Sequence, residues 1–143
     1  MADIDRFVRA QDATYAGALG ALRRGRKTSH WMWFVFPQIA GLGRSETARF
    51  YAIASAAEAR AYLGHPVLGA RLIEATKAAI AAPGSAEAIF GGIDAVKLRS
   101  SMTLFEAVAD DQALFVAALK RFFGGERDGA TLRLLGHSPV RVD

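Results

Sequence analysis

The stretch Ser29-His30-Trp31-Met32-Trp33-Phe34-Val35-Phe36-Pro37-Gln38 decides how the rest of the chain is read. As a strand, Trp31–Phe36 would be apolar on both faces and would have to lie in the middle of a sheet. No other segment shows the clean period-two alternation that would supply partner strands. As a short helix, the same residues have a cap in Ser29 and a stop in Pro37, because proline disfavours the helical region for the residue before it. The helical reading makes the whole chain all-α. The stretch carries a second message. It holds both tryptophans and one of the three histidines, directly after the basic run Arg23-Arg24-Gly25-Arg26-Lys27. A core needs aromatics, but it does not need His30, Gln38 and these cations beside them, so the mixture predicts a pocket wall.

Outward from this stretch, every break has a local cause. Asp3 is placed to cap a first short helix with Ile4, Phe7 and Val8 on one face. Asp12 is placed to cap a second, with Tyr15, Leu19 and Leu22 in one stripe ending near Gly25. Gly41-Leu42-Gly43-Arg44 reads as a loop, and Ser45 caps a helix to about Ile53. Ser55-Ala56-Ala57-Glu58 is a capping box opening a helix that stops at Gly64. His65-Pro66 starts the next, with Pro66 at its first position and Leu68, Leu72, Ala75 and Ala79 as its buried stripe. Pro83-Gly84 ends it, and Ser85 opens a short helix to Phe90. After Gly91-Gly92, Asp94 begins a long helix carrying Leu98, Met102, Phe105 and Val108. Asp111 starts another with Leu114, Phe115, Ala118, Leu119 and Phe122, closed by Gly124-Gly125, and Asp128 caps a last turn with Leu132 and Leu135. The expectation is a single compact all-α domain over residues 1–136, of about seven to nine short helices packed irregularly and orthogonally. Residues 137–143 form a short C-terminal tail expected to fray.

Composition narrows the function classes. With 143 residues the chain fits one domain. Apolar residues make up 52% of it, which suits a packed core and not a disordered segment. Cysteine is absent, which excludes disulfides, thiolate metal sites and a cysteine nucleophile, and agrees with a cytoplasmic protein. The first residues are charged where a secretory signal would be apolar, and no apolar run is long enough to span a membrane. A net charge of +4 permits an anionic ligand; it is small for a nucleic-acid binder, and no nucleic-acid motif accompanies it.

Together Gly25-Arg26-Lys27, Ser29–Phe34, Phe36-Pro37-Gln38 and Gly41-Leu42-Gly43 with Ser45 form an unusual pattern. It continues through Ala61-Tyr62-Leu63, His65–Gly69, Asp94 with Lys97–Phe105, Phe123-Gly124-Gly125, Asp128 and Thr131-Leu132. This pattern resembles the bacterial domain-of-unknown-function family numbered 1810, from about Asp5 to Leu135. The resemblance implies a compact all-α fold and leaves the activity unassigned. Members of that family often carry the label calpastatin. Inhibitory regions of that kind are polar and disordered, which does not suit this apolar chain.

Four clusters are candidates for a site. His30, Trp31, Trp33 and Gln38 offer a flat aromatic wall with directional hydrogen bonds for a base or sugar; the alternative is that the tryptophans are core. Gly41–Ser45 offers turns and a helix start suited to phosphate, with Arg44 as a bidentate donor, or is an ordinary capped loop. Lys97, Ser100 and Ser101 share a helix face that suits phosphate or sugar, or that locks helix to loop. A Ser–Lys nucleophile pair is formally available there. Arg26 and Lys27 sit beside the wall, whereas Arg23 and Arg24 suit a solvated helix end. His65 reads as a helix-start residue, and Asp128 with Thr131 as a cap, leaving Arg127 to face a cleft. Asp94, Glu46 and Glu58 all have capping explanations. No His-Glu-x-x-His, Walker loop, nucleophile elbow, EF-hand or metal-ligand spacing is present, and no cofactor is implied. The expectation is a phosphate-bearing ligand, nucleotide or nucleotide-sugar like, with His30 as the acid–base group if it is turned over. The alternatives are a protein-interaction module without catalysis and a single-stranded nucleic-acid binder.

Overall fold

The computed structural model describes residues 4–136. Among them are ten helices: α1 (Asp5–Asp12), α2 (Tyr15–Arg23), α3 (Met32–Val35), α4 (Glu46–Phe50), α5 (Ala56–Gly64), α6 (Leu68–Ala81), α7 (Ala86–Phe90), α8 (Gly92–Val108), α9 (Ala113–Phe123) and α10 (Gly129–Leu134). No strand is present among these residues; Ile39 and Ile53 form an isolated parallel bridge. The all-α reading therefore holds, and the deciding stretch is a single helical turn, α3. The predicted cap at Asp3 and the tail from residue 137 lie outside the described residues.

Local signals set most boundaries. Ser45 Oγ accepts from the Ala48 N–H at 3.1 Å, Ser55 from Glu58 at 3.2 Å, and Ser85 from Ala88 at 3.1 Å. Asp128 accepts from the Thr131 N–H at 3.1 Å. Each satisfies a first-turn donor that the helix itself cannot. The ring Nδ1 of His65 does the same for Val67 and Leu68, at 3.1 and 3.2 Å, so Pro66 lies in the turn and not in α6.

Elsewhere tertiary contacts override local signals. Asp12 ends α1 instead of capping α2, whose N-cap is Thr14. The helix has to reach this far because Gln11 is buried, its amide donating to the Phe34 carbonyl at 2.6 Å and to the Tyr62 hydroxyl at 2.9 Å. Ser29 is exposed and outside α3, which begins after Trp31. Helix α4 stops at Phe50, short of Ile53. The Arg6 guanidinium takes the Phe50 and Ala52 carbonyls, both at 2.7 Å, and the Ile53 N–H turns to the Gln38 carbonyl at 2.8 Å. Asp111 accepts from the Ala113 N–H at 3.0 Å from one position outside the N-cap, Gln112.

Helix α8 is the longest and lies at the centre. Leu98, Met102, Leu104 and Phe105 are buried along it, packed against α5, α7, α9 and α10. The Phe105 ring sits 5.4 Å from Tyr62 and 6.0 Å from Phe115, and Phe7 meets Tyr62 edge-on at 5.1 Å. Truncating a buried Phe of this kind typically costs about 3–5 kcal/mol. The predicted stripe of α6 is buried as expected, from Leu68 to Ala79. It starts directly beneath the end of α5, where a Cβ on Gly69 would lie 2.0 Å from the Leu63 carbonyl oxygen, so the junction demands glycine. Burial pushes the Tyr62 phenol above its ordinary pKa, and burial with the neighbouring Glu74 does the same for Tyr15.

Candidate functional site

After α2, Gly25 turns the chain at φ +75° and the Lys27 N–H donates to the Ile89 carbonyl at 2.7 Å. This pins Lys27 against the end of α7. Its side chain is only 8% exposed, with Nζ 2.7 Å from Asp94 Oδ2 and 5.3 Å from the centre of the Trp31 ring. Gly91, at φ +83°, turns α7 into α8 and sets Asp94 in the first turn of α8. Lys97 follows one turn later, with Nζ 3.5 Å from the other carboxylate oxygen of Asp94 and 4.5 Å from the centre of the Trp33 ring. Trp33 is half-buried on α3, and the exposed His30 ring stands 6.4 Å from it, centre to centre. With Met32, Phe90, Gly92 and Ile93 these groups wall an open cleft of about 370 Å³.

The electrostatics follow from the count of charges. Two ammonium groups face one carboxylate, which leaves one net positive charge. The start of α8 adds to it, since no side chain caps this end of a 17-residue helix and its first-turn N–H groups carry positive partial charge. Asp94 is therefore not the cap that sequence predicted. It is the counter-ion that holds Lys27 and Lys97 on either side of it.

The structure brings His30, Trp33 and Lys97 together with Lys27 and leaves Trp31, Gln38, Arg44, Ser100 and Ser101 outside the cleft lining. Trp31 is 1% exposed and belongs to the core, packed against Phe36 and Phe90; its indole N–H has no hydrogen-bond partner among the described residues. Gln38 is half-buried beside a minute gap lined by Trp33, Gly43, Ala48 and Tyr51. Arg44 is exposed and does not line the cleft, and Ser45 caps a helix of five residues, too short to carry an appreciable dipole. Ser100 donates to Asp128 at 3.0 Å, joining α8 to the cap of α10. Ser101 is fully buried, and its hydroxyl has no partner among the described residues. No Ser–Lys hydrogen bond forms among them, so the nucleophile pair is absent from this geometry. Arg127, which sequence left free to face a cleft, instead grips the buried Glu106 with two hydrogen bonds, which raises its pKa.

Sequence reasoning missed Asp94 as a site residue and gave Lys27 only a share in the wall. The Asp94/Lys97 spacing was legible as a same-face pair; the partnership with Lys27 spans two distant segments and was not. Two larger hollows, of about 550 and 570 Å³, lie on the outer face of α6 and between α5 and α9. Their walls carry charges as well, Arg23, Glu74 and Lys77 in the first and Arg60, Lys77, Asp110 and Asp111 in the second, but among the described residues no ion pair joins these groups and no tryptophan lies beside them. No helix among the described residues is long and apolar enough to cross a membrane.

Comparison with known proteins adds a family and a fold. The sequence profile of the family described as "Protein of unknown function (DUF1810)" matches residues 1–135. No curated protein matches. Among solved structures, the conserved hypothetical protein Rv1873 from Mycobacterium tuberculosis is similar at 48% identity and a TM-score of 0.92, over 96% of this chain and 99% of that one.

Proposed function

This chain belongs to the DUF1810 family of proteins of unknown function, and for it we propose the binding of a small phosphate-bearing molecule with a flat ring, nucleotide or nucleotide-sugar like, in the cleft between α3 and the start of α8. The observation that carries this reading is the convergence of the Lys27 and Lys97 ammonium groups on Asp94, beside the half-buried Trp33 ring. A surplus cation, an uncapped helix start and an indole face are what a phosphate and a ring require. His30 at the cleft rim is the group that would move a proton if the ligand is turned over.

A thermal-shift screen with nucleotides, nucleotide-sugars and sugar phosphates tests it. A ligand at about 100 times its dissociation constant adds roughly 2.7 kcal/mol of apparent stability, a shift of several degrees. The expected result is a hit that Lys97→Ala and Trp33→Leu both abolish while staying folded. A hit indifferent to both variants would place the ligand elsewhere, and no hit would sink the reading.

A second reading draws on Ile93 and Val96, which are 78% and 61% exposed on one face of α8 beside the cleft. Such a pair suits a protein partner in place of a small molecule. Val96→Lys, outside the residues that wall the cleft, would then abolish a pull-down interaction.

A further inference from the structure

Resting on that reading, we propose that the cleft is built for one phosphate, as in a nucleoside monophosphate, and that Lys97 is the cation that lets go of its present contacts to receive it. The two lysines are not equivalent. Lys27 is almost wholly enclosed and stands 2.7 Å from Asp94. Separating that pair would strand a charge out of water, so the two stay together. Lys97 is more open, at 22% exposure, and its 3.5 Å separation from Asp94 is longer than a charge-assisted hydrogen bond. Its other attachment is the Trp33 ring, 4.5 Å away. Both attachments are weak at a partly exposed site, and an incoming phosphate offers a shorter contact than either. Departure of the ammonium also uncovers the face of Trp33 on which a ring would stack.

Charge and volume set the ligand class. With Lys27 and Asp94 remaining paired, one ammonium is left for the ligand. A second or third phosphate finds no further lysine or arginine among the lining residues. The volume of about 370 Å³ is near the lower end of the range for ligand pockets, about 300–1,000 Å³, which suits one ring and its sugar phosphate and not a dinucleotide.

The test is calorimetric titration of the full chain, at fixed ionic strength, with inorganic phosphate and the mono-, di- and triphosphates of the four ribonucleosides. Alongside it, the lysine ε-methylene resonances are followed by NMR. Expected is saturable binding of a monophosphate, with its di- and triphosphate within about threefold of it and inorganic phosphate at least about tenfold weaker. The Lys97 resonance, shifted upfield by the Trp33 ring in the free protein and restored by Trp33→Leu, moves to the ordinary lysine position at saturation while Lys27 stays. Lys97→Met weakens the monophosphate by about tenfold or more. Affinity rising about tenfold with each added phosphate overturns the single-phosphate site. A Lys97 resonance that stays while Lys27 moves overturns the exchange. Both outcomes leave nucleotide binding itself standing. No binding of any compound overturns this proposal and the proposed function together.

Discussion

Helix α8 carries charged and hydroxyl residues along most of its length, and its two halves use them differently. Near its start, Asp94 and Lys97 face an open cleft, joined by a contact of 3.5 Å that both side chains share with solvent. From Ser100 onward the same helix is closed against α10. Asp128 Oδ2 there accepts from the Thr131 N–H, the Thr131 hydroxyl and the Ser100 hydroxyl, while Thr103 Oγ1 accepts from the Asp128 N–H at 2.9 Å and donates to the Arg99 carbonyl at 2.8 Å. Three residues further, Glu106 is gripped by Arg127. In the closed half each of these groups is engaged by another, and the polar atoms left over there, the Ser101 hydroxyl and the Arg99 Nε–H, are sealed from solvent and out of reach of a ligand. In the open half a cation remains in surplus at the surface. Polarity on a helix face therefore does not mark a candidate site; polarity that is both unbalanced and accessible does.

That contrast can be broken by experiment. The largest effect on stability is expected at the closed half from Asp128→Ala, which removes a helix cap and several hydrogen bonds to a charged acceptor. Urea denaturation should show a loss of about 2–4 kcal/mol with ligand affinity unchanged. A loss under about 1 kcal/mol would mean that the seam is not what holds α10 in place. Next comes Arg127→Ala, which leaves the nearly buried Glu106 carboxylate unpaired. The guanidinium is about half exposed, so the expected cost is about 1–3 kcal/mol, below that of breaking a fully buried pair. A smaller and pH-dependent effect belongs to Tyr62, packed on the closed part of α8. Its raised pKa means that the fold favours the neutral phenol. The stability this confers is complete below about pH 10, where the unfolded chain also keeps its proton, and is lost as pH rises beyond that. In Tyr62→Phe, unfolding midpoints should fall less steeply between about pH 10 and 11, with a residual slope from Tyr15. An unchanged slope would show that Tyr62 ionises as readily in the fold as out of it. The smallest effect on stability belongs to the open half, where Lys97→Met should alter it by no more than about 0.5 kcal/mol. A loss well beyond that would move Lys97 into the structural class and erase the contrast.

The legibility of the sequence divides along the same line. Ser45, Ser55, Ser85 and Asp128 were readable as caps because a cap is a transaction between residues three apart. The stripes of α6 and α8 were readable because burial imposes a period. Asp12 and Ser29 carried the same cap signal and were overruled, the first because Gln11 had to be delivered to Phe34 and Tyr62. At the site, the wall was legible as an odd mixture of residues, and Lys97 as a cation on a face. Its assembly was not. Trp31 and Trp33 are indistinguishable in sequence, yet their different positions on and before one helical turn put the first in the core and the second at the cleft. Asp94 had a sufficient local explanation as a helix-start acid, and only the return of Lys27 from a distant segment gave it another.

The two tryptophans also give the protein an optical asymmetry. Trp31 is sealed among Phe36 and Phe90, whereas Trp33 meets solvent at the cleft with an ammonium over its ring. Iodide will quench the second and spare the first. The emission of the unlabelled protein thus separates into one component that reports on the integrity of the core and one that reports on the surroundings of Trp33 at the cleft, with no dye attached.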